Sequence, residues 1–243
     1  MRALILAAGR GNRLGSLTAE KPKCLITIKE KTLLSMMVLN FKKIAINEIC
    51  VVTGYKNKKI KLNNCRFIHN KHWKRTNMVY SLLCADQWLR NESCIIAYGD
   101  IFSSLRNLTQ LKRTKADIAI TFDRLWKPLW SARFKKPLED AETFKKNKDN
   151  YLIEIGKKPK NYGEVHGQFM GLIKITPKGW KKIKKFTNDL NPELVKKIST
   201  TELLQLLVEN KFKVRCIPVQ GQWGEVDIPS DIKLYKKKFK QLS

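Results

Sequence analysis

The sequence predicts an α/β protein: a mostly parallel central sheet with helices on both faces. Three observations lead there. Short apolar runs of strand length alternate with segments whose apolar residues recur at helical spacing. The first run ends in a glycine-rich turn. A later run ends in an aspartate, at the carboxyl end of a strand, where open α/β sheets bind ligands.

Arg2 to Ala8 (RALILAA) is a continuous apolar run stopped by glycine, as a strand buried on both faces should be. Leu33 to Lys43 follows with helical periodicity, and Asn47 to Thr53 and Cys65 to Ile68 return to strand. Asn77 is a good N-cap for a helix reaching Leu89, with Met78, Leu82 and Leu83 on one face. Cys94 to Tyr98 is the strand that ends in Gly99-Asp100, and Ala116 to Phe122 is the next. Trp126 to Lys160 departs from the alternation, being rich in Lys, Pro and aromatic residues, with one short strand at Tyr151 to Ile155. Beyond it come a strand (Phe169 to Ile175), a helix after Pro177, a capped amphipathic helix (Thr200 to Asn210) and a strand (Lys213 to Val219). A last helix is expected to be capped by Ser230 and to carry Lys236, Lys237 and Lys238. No repeat or clean linker divides the chain. The expectation is one domain over 1–243, with 124–165 as a lid or insertion.

The 243 residues, 43% of them hydrophobic, suffice for a full core and exclude a disordered chain. No apolar stretch approaches the ~20 residues of a membrane span. Ala3 to Ala8 is short and is followed by Arg10 and Arg13, which makes a poor signal peptide. The six cysteines include no CxxC pair and mostly sit in apolar runs, so reduced thiols in a cytoplasmic protein are expected. Three histidines are too scattered for a zinc site. The formal net charge of +28 fits a nucleic acid, an acidic membrane surface or an anionic substrate.

The most specific local signal is Leu6-Ala7-Ala8-Gly9-Arg10-Gly11-Asn12-Arg13-Leu14. Small residues after a strand let the backbone approach a phosphate or a base, with amide N–H groups as donors. It is not a P-loop, since no GxxxxGK[ST] string exists. It is not the dinucleotide fingerprint, since Leu14 stands where GxGxxG needs glycine. Lys21-Pro22-Lys23 follows, so Arg13 and Lys23 can converge on one polyphosphate.

This pattern, L-A-A-G-x-G-x-R-L and then K-P-K, resembles the signature of the nucleotidyltransferases that join an NTP to a phosphorylated small molecule. The resemblance implies a Rossmann-like, GT-A-like fold. It places the backbone of Leu6, Ala7, Ala8, Gly9, Gly11 and Asn12 on the nucleotide, Arg13 on the β- and γ-phosphates, and Lys23 near the α-phosphate. Tyr98-Gly99-Asp100 matches the family's metal-binding aspartate. Gly224-Glu225-Val226-Asp227 is similar to its late acidic element, with Asp227 as the second ligand and Glu225 as the alternate. Asp100 and Asp227 would hold Mg²⁺, a hard cation suited to carboxylate and phosphate oxygens. The catalytic set is then Lys23, Arg13 and Asp100.

Further stretches resemble the shorter bacterial CTP-dependent branch: Asn77-Met78-Val79-Tyr80-Ser81, Gly167-Gln168-Phe169-Met170-Gly171 and Thr201-Glu202-Leu203. Members transfer CMP to phosphocholine, 2-aminoethylphosphonate, phosphoglutamine or related precursors of surface polymers. The resemblance puts Asn77 and Ser81 at the nucleotide or acceptor site. The expected partners are CTP and a small phosphorylated or phosphonate acceptor, for a monomer or homodimer. Candidate acceptor residues are Trp126, Trp130, Arg133, Glu142 and Gln168. Trp73, Trp126 and Trp130 would cage a quaternary ammonium by cation–π contact, Arg133 would grip an anion, and Asp140 and Glu142 would bind an amine. A related transferase using another NTP and a sugar phosphate remains the alternative.

The lysines are spread over helices, loops and tail, including the 181–185 run, with no nucleic-acid-binding module, so neither nucleic acid nor membrane insertion is expected. The surplus charge is read as surface composition that adds long-range attraction for anionic substrates. It predicts a kcat/KM that falls as salt is added. A salt-independent value in steady-state kinetics would leave that charge without such a role.

Overall fold

The computed structural model describes residues 1–238. Its first half runs β1 (Arg2–Ala7), β2 (Thr27–Ile28), β3 (Lys31–Thr32), α1 (Leu33–Lys43), β4 (Ile49–Thr53), β5 (Arg66–His69), α2 (Met78–Cys84), α3 (Asp86–Leu89), β6 (Cys94–Tyr98), β7 (Ile101–Ser103), α4 (Leu105–Arg113) and β8 (Ile118–Asp123). Then come α5 (Trp126–Arg133), α6 (Pro137–Asp140), β9 (Phe144–Lys146), β10 (Leu152–Ile155) and β11 (Gln168–Ile175). The chain closes with α7 (Pro177–Asp189), α8 (Pro192–Lys197), α9 (Thr200–Glu209), β12 (Arg215–Val219), β13 (Trp223–Glu225) and α10 (Pro229–Lys238).

Seven strands form the central sheet in the order β12-β8-β11-β6-β1-β4-β5. All neighbours pair in parallel except β11, which runs antiparallel to β6 and β8. The pleat divides β1 between two cores. Ala3, Ile5 and Ala7 pack with α1, α4, α5 and α10 on one face, while Leu4 and Leu6 pack with α2, α3, α7, α8 and α9 on the other. The mostly parallel sheet with helices on both faces is therefore present, and side-chain alternation explains it.

Two local expectations change. The helix expected to reach Leu89 breaks at Ala85, whose backbone (φ −92°, ψ 20°) leaves the helical region between α2 and α3. Ser230 lies inside the first turn of α10 and not before it. The carboxylate of Asp231 instead accepts the Asp227 and Ile228 amides at 2.7 and 3.1 Å. β11 carries a register shift between Phe169 and Ile173, where Gly171 (φ +69°) packs on the Tyr98 ring so closely that a Cβ would meet it at 2.7 Å.

Residues 124–165 hold α5, α6, β9 and β10. Trp126, Leu129 and Trp130 of α5 are buried in the first core. The β9–β10 hairpin packs on the other face, where the Leu152 amide donates to the Val214 carbonyl at 2.9 Å. Cys24, Cys50, Cys94 and Cys216 are buried and Cys65 and Cys84 half-buried, all as free thiols. Among the described residues no helix is long and apolar enough to cross a membrane.

Candidate active site

The site lies at the carboxyl ends of β1 and β6, as the strand-end rule requires. After β1 the chain turns through Gly11 in a left-handed conformation (φ +80°). A Cβ there would strike the Lys23 side chain at 2.8 Å, so the glycine is what lets that lysine pass beneath the loop. Thr18 pins the turn by donating from Oγ1 to the Gly11 carbonyl at 3.0 Å, and buried Leu14 anchors it. Arg13 next to Leu14 remains 61% exposed in its side chain.

Gly99 brings the second element close. Its amide donates to the Leu6 carbonyl at 2.8 Å, and a Cβ would meet that oxygen at the same distance. Asp100 follows at once. β7 then pairs antiparallel with β13, matching Ile101 with Glu225, and the Val226 amide donates to the Asp100 carbonyl at 3.0 Å. This ladder carries Asp227 to Asp100.

Lys23 Nζ lies 2.6 Å from Asp100 Oδ2 and 2.6 Å from Asp227 Oδ1. Arg13 Nη2 reaches the same Asp227 oxygen at 2.8 Å. Burial works against the Lys23 ammonium, but the two carboxylates outweigh it and hold the lysine above its ordinary range. Burial likewise opposes the Asp227 charge, and Lys23 overcomes it, so Asp227 stays well below the usual carboxylate range. Glu225 moves the other way, raised by burial and then by the neighbouring Asp227 charge.

Two cavities meet at Asp100 and Met78. Leu6 to Gly9, Lys23, Trp73, Thr76, Asn77 and Ser81 line the first. Arg13, Tyr98, Trp130, Asp140, Glu142, Gln168, Thr201, Glu225 and Asp227 line the second. The first is small, apolar-walled and floored by the glycine turn. The second is rich in carboxylates, and burial raises both Asp140 and Glu142.

A sequence profile described as a MobA-like NTP transferase domain matches residues 3–152. The CTP:phosphoglutamine cytidylyltransferase of Campylobacter jejuni is 35% identical, covering 98% of this chain and 100% of that protein. The choline-phosphate cytidylyltransferase of Streptococcus pneumoniae is 30% identical over 43% of this chain and 48% of its own. The chain belongs to the MobA-like NTP transferase family. It shares its fold with the inositol-1-phosphate CTP transferase from T. maritima, at a TM-score of 0.78 and 20% identity, covering 100% of this chain and 97% of that one.

In this nucleotidyltransferase the structure gathers Leu6, Ala7, Ala8, Gly9, Lys23, Asn77, Ser81 and Asp100 around the first cavity. Gly11 and exposed Asn12 line neither cavity; they shape the turn. Both polar ends of Asn77 are engaged: Oδ1 accepts the Met78 amide at 2.8 Å, and Nδ2 donates to the Lys197 carbonyl at 3.0 Å. Ser81 is buried and accepts from Asn70 Nδ2 at 3.0 Å.

The acceptor candidates need correction. No tryptophan cage forms. Trp126 is only 4% exposed, packed on Trp130 and Tyr162, and lines neither cavity. Trp73 stands in the first cavity, edge-on to Tyr55 at 5.2 Å. Trp130 reaches the second cavity but is 2% exposed and donates from Nε1 to Asp140 Oδ2 at 3.1 Å. Arg133 is fully buried among Glu225, Asp227 and Asp231 and cannot grip an anion in the cleft. Glu142 and Gln168 do line the second cavity. Trp73 is expected at the acceptor but lines the first cavity; no role is expected from the sequence for Thr76 or Tyr98 in the clefts they line, although Tyr98 has its signal in the Y-G-D string.

Asp100 and Asp227 are the residues that would hold the expected Mg²⁺. Two carboxylates converge within 2.6 Å of one cationic nitrogen, and Asp100 Oδ1 is buried with no hydrogen-bond partner. Among the described residues no cluster of three ligating side chains exists. Two carboxylates completed by phosphate oxygens and water suit Mg²⁺.

The altered place of Trp73 is testable. Trp73→Ala is expected to weaken NTP binding by about 1–3 kcal/mol, as for a lost base–aromatic contact, read by calorimetry, without raising the acceptor KM. An unchanged nucleotide Kd would return this ring to a packing role.

Proposed function

We propose that this transferase moves CMP from CTP to a small acceptor that carries a phosphate, phosphonate or phosphoramidate at one end and an amino group at the other. The observation that carries this reading is the junction. Two cavities of opposite character meet at Asp100, and Lys23 and Arg13 converge there on one oxygen of Asp227. The relative matching the full chain is a cytidylyltransferase by name, which supports CTP as donor.

An acceptor oxygen attacks the α-phosphorus in line. One P–O bond forms to the acceptor, the bond to the β-phosphate oxygen breaks, and pyrophosphate leaves with that electron pair. The attacking oxygen is already ionised, so no side chain has to remove a proton. The first cavity holds base and ribose against the turn after β1. Lys23 and Arg13 supply positive charge where the leaving group gains negative charge, and the fixed turn keeps them there before the reaction begins. Asp100 and Asp227 would hold Mg²⁺, which when bound neutralises triphosphate charge. The carboxylates of Asp140 and Glu142 in the second cavity favour an acceptor with a cationic end.

Pyrophosphate release measured across four NTPs and a panel of phosphocholine, 2-aminoethylphosphonate, phosphoglutamine, inositol 1-phosphate and glucose 1-phosphate tests the reading. Release is expected with CTP and an amine-bearing acceptor. Asp100→Ala is expected to lower that turnover by roughly 10²-fold or more in a variant that still folds. No release with any pair, or full activity in the variant, contradicts the proposal.

A further inference from the structure

Unlike Lys23 and Arg13, Arg133 lines neither cavity. Its side chain is 0% exposed. Nε and Nη2 hold Asp231 at 2.9 and 3.1 Å, Nη1 holds Glu225 at 2.8 Å, and Nη2 also reaches Asp227 Oδ2 at 3.2 Å. The guanidinium lies 4.9 Å from the Trp130 ring and 4.8 Å from the Phe134 ring, which fix its plane. Asp231 is equally buried and passes the grip onward, since its Oδ2 accepts the backbone amides of Asp227 and Ile228.

The two oxygens of Asp227 therefore have separate duties. Oδ2 is tied to Arg133, and Oδ1 faces Lys23 and Arg13 at the junction. A carboxylate fixed at neither backbone nor side chain would sample both faces; this one is fixed at both. A buried ion cluster is a weak source of stability, because apolar replacement often serves as well. What a planar five-donor fork supplies that an apolar group or a lysine does not is orientation.

We propose that Arg133 is a positioning residue for the transfer reaction, setting the backbone of Asp227 through Asp231 and the side chain of Asp227 directly, so that Oδ1 is presented at the junction. The proposal rests on the reading that Asp227 belongs to the reacting site, and its test separates the two. Arg133→Lys keeps the charge and loses the fork. In the folded variant kcat is expected to fall about 10- to 100-fold with the acceptor KM unchanged. Hydrogen exchange at the Asp227 and Ile228 amides is expected to quicken at least 10-fold over wild type. If Arg133→Lys does not fold, Asp231→Asn takes its place with the same expectations. A folded variant with normal kcat, a raised acceptor KM at constant kcat, or unchanged exchange at those amides overturns the proposal. A wild-type protein without transfer activity overturns the reading of the site, while the exchange rates still decide the clamp.

Discussion

Two ionised aspartates share a partly buried site only at a heavy cost unless positive charge holds them together. Asp100 and Asp227 come from distant parts of the chain, and three cations answer them: Lys23 between the two, Arg13 from the cleft side and Arg133 from the core side. Like charges this close repel strongly where water is scarce. Removing one partner from such a cluster leaves a buried charge uncompensated, at about 3–5 kcal/mol. Much of the local architecture serves this balance. Gly11 clears a path for Lys23, the β7–β13 ladder aligns the two acidic segments, and α5 is drawn into the core with Arg133 at its end.

The distribution of charge sharpens the meaning of the basic composition. The protein carries +28, yet the cleft walls hold Asp100, Asp140, Glu142, Glu225 and Asp227. The surplus lies elsewhere, for example on the exposed Lys181, Lys182 and Lys185 of α7. Long-range attraction of anions and short-range recognition thus reside in different places. On the proposed reading, the surface would draw in a triphosphate and a few fixed cations at the junction would receive it.

Much of the site was legible in the sequence because it is local. The glycine turn, Arg13 and Lys23 occupy one short stretch, and Asp100 ends an apolar strand. Other parts depend on distance relations that no local pattern states. The antiparallel sense of β11 is invisible to periodicity, since an alternating run reads the same in both directions. The tryptophan cage failed for a different reason. Trp126, Leu129, Trp130 and Arg133 stand at i, i+3, i+4 and i+7, the spacing of a single buried helix face. Read that way, the same residues announce packing, with a guanidinium that must find carboxylates in the core. The role of Asp231 left no comparable trace.

The step to test is displacement of pyrophosphate from the α-phosphorus of CTP by an acceptor oxygen at the Asp100–Asp227 junction. Its most direct test is ³¹P NMR of the products formed from CTP and an acceptor whose phosphate oxygens carry ¹⁸O. Label is expected in the oxygen bridging acceptor and CMP, with unlabelled pyrophosphate. Label in the pyrophosphate, or free CMP in place of the joined product, would contradict it.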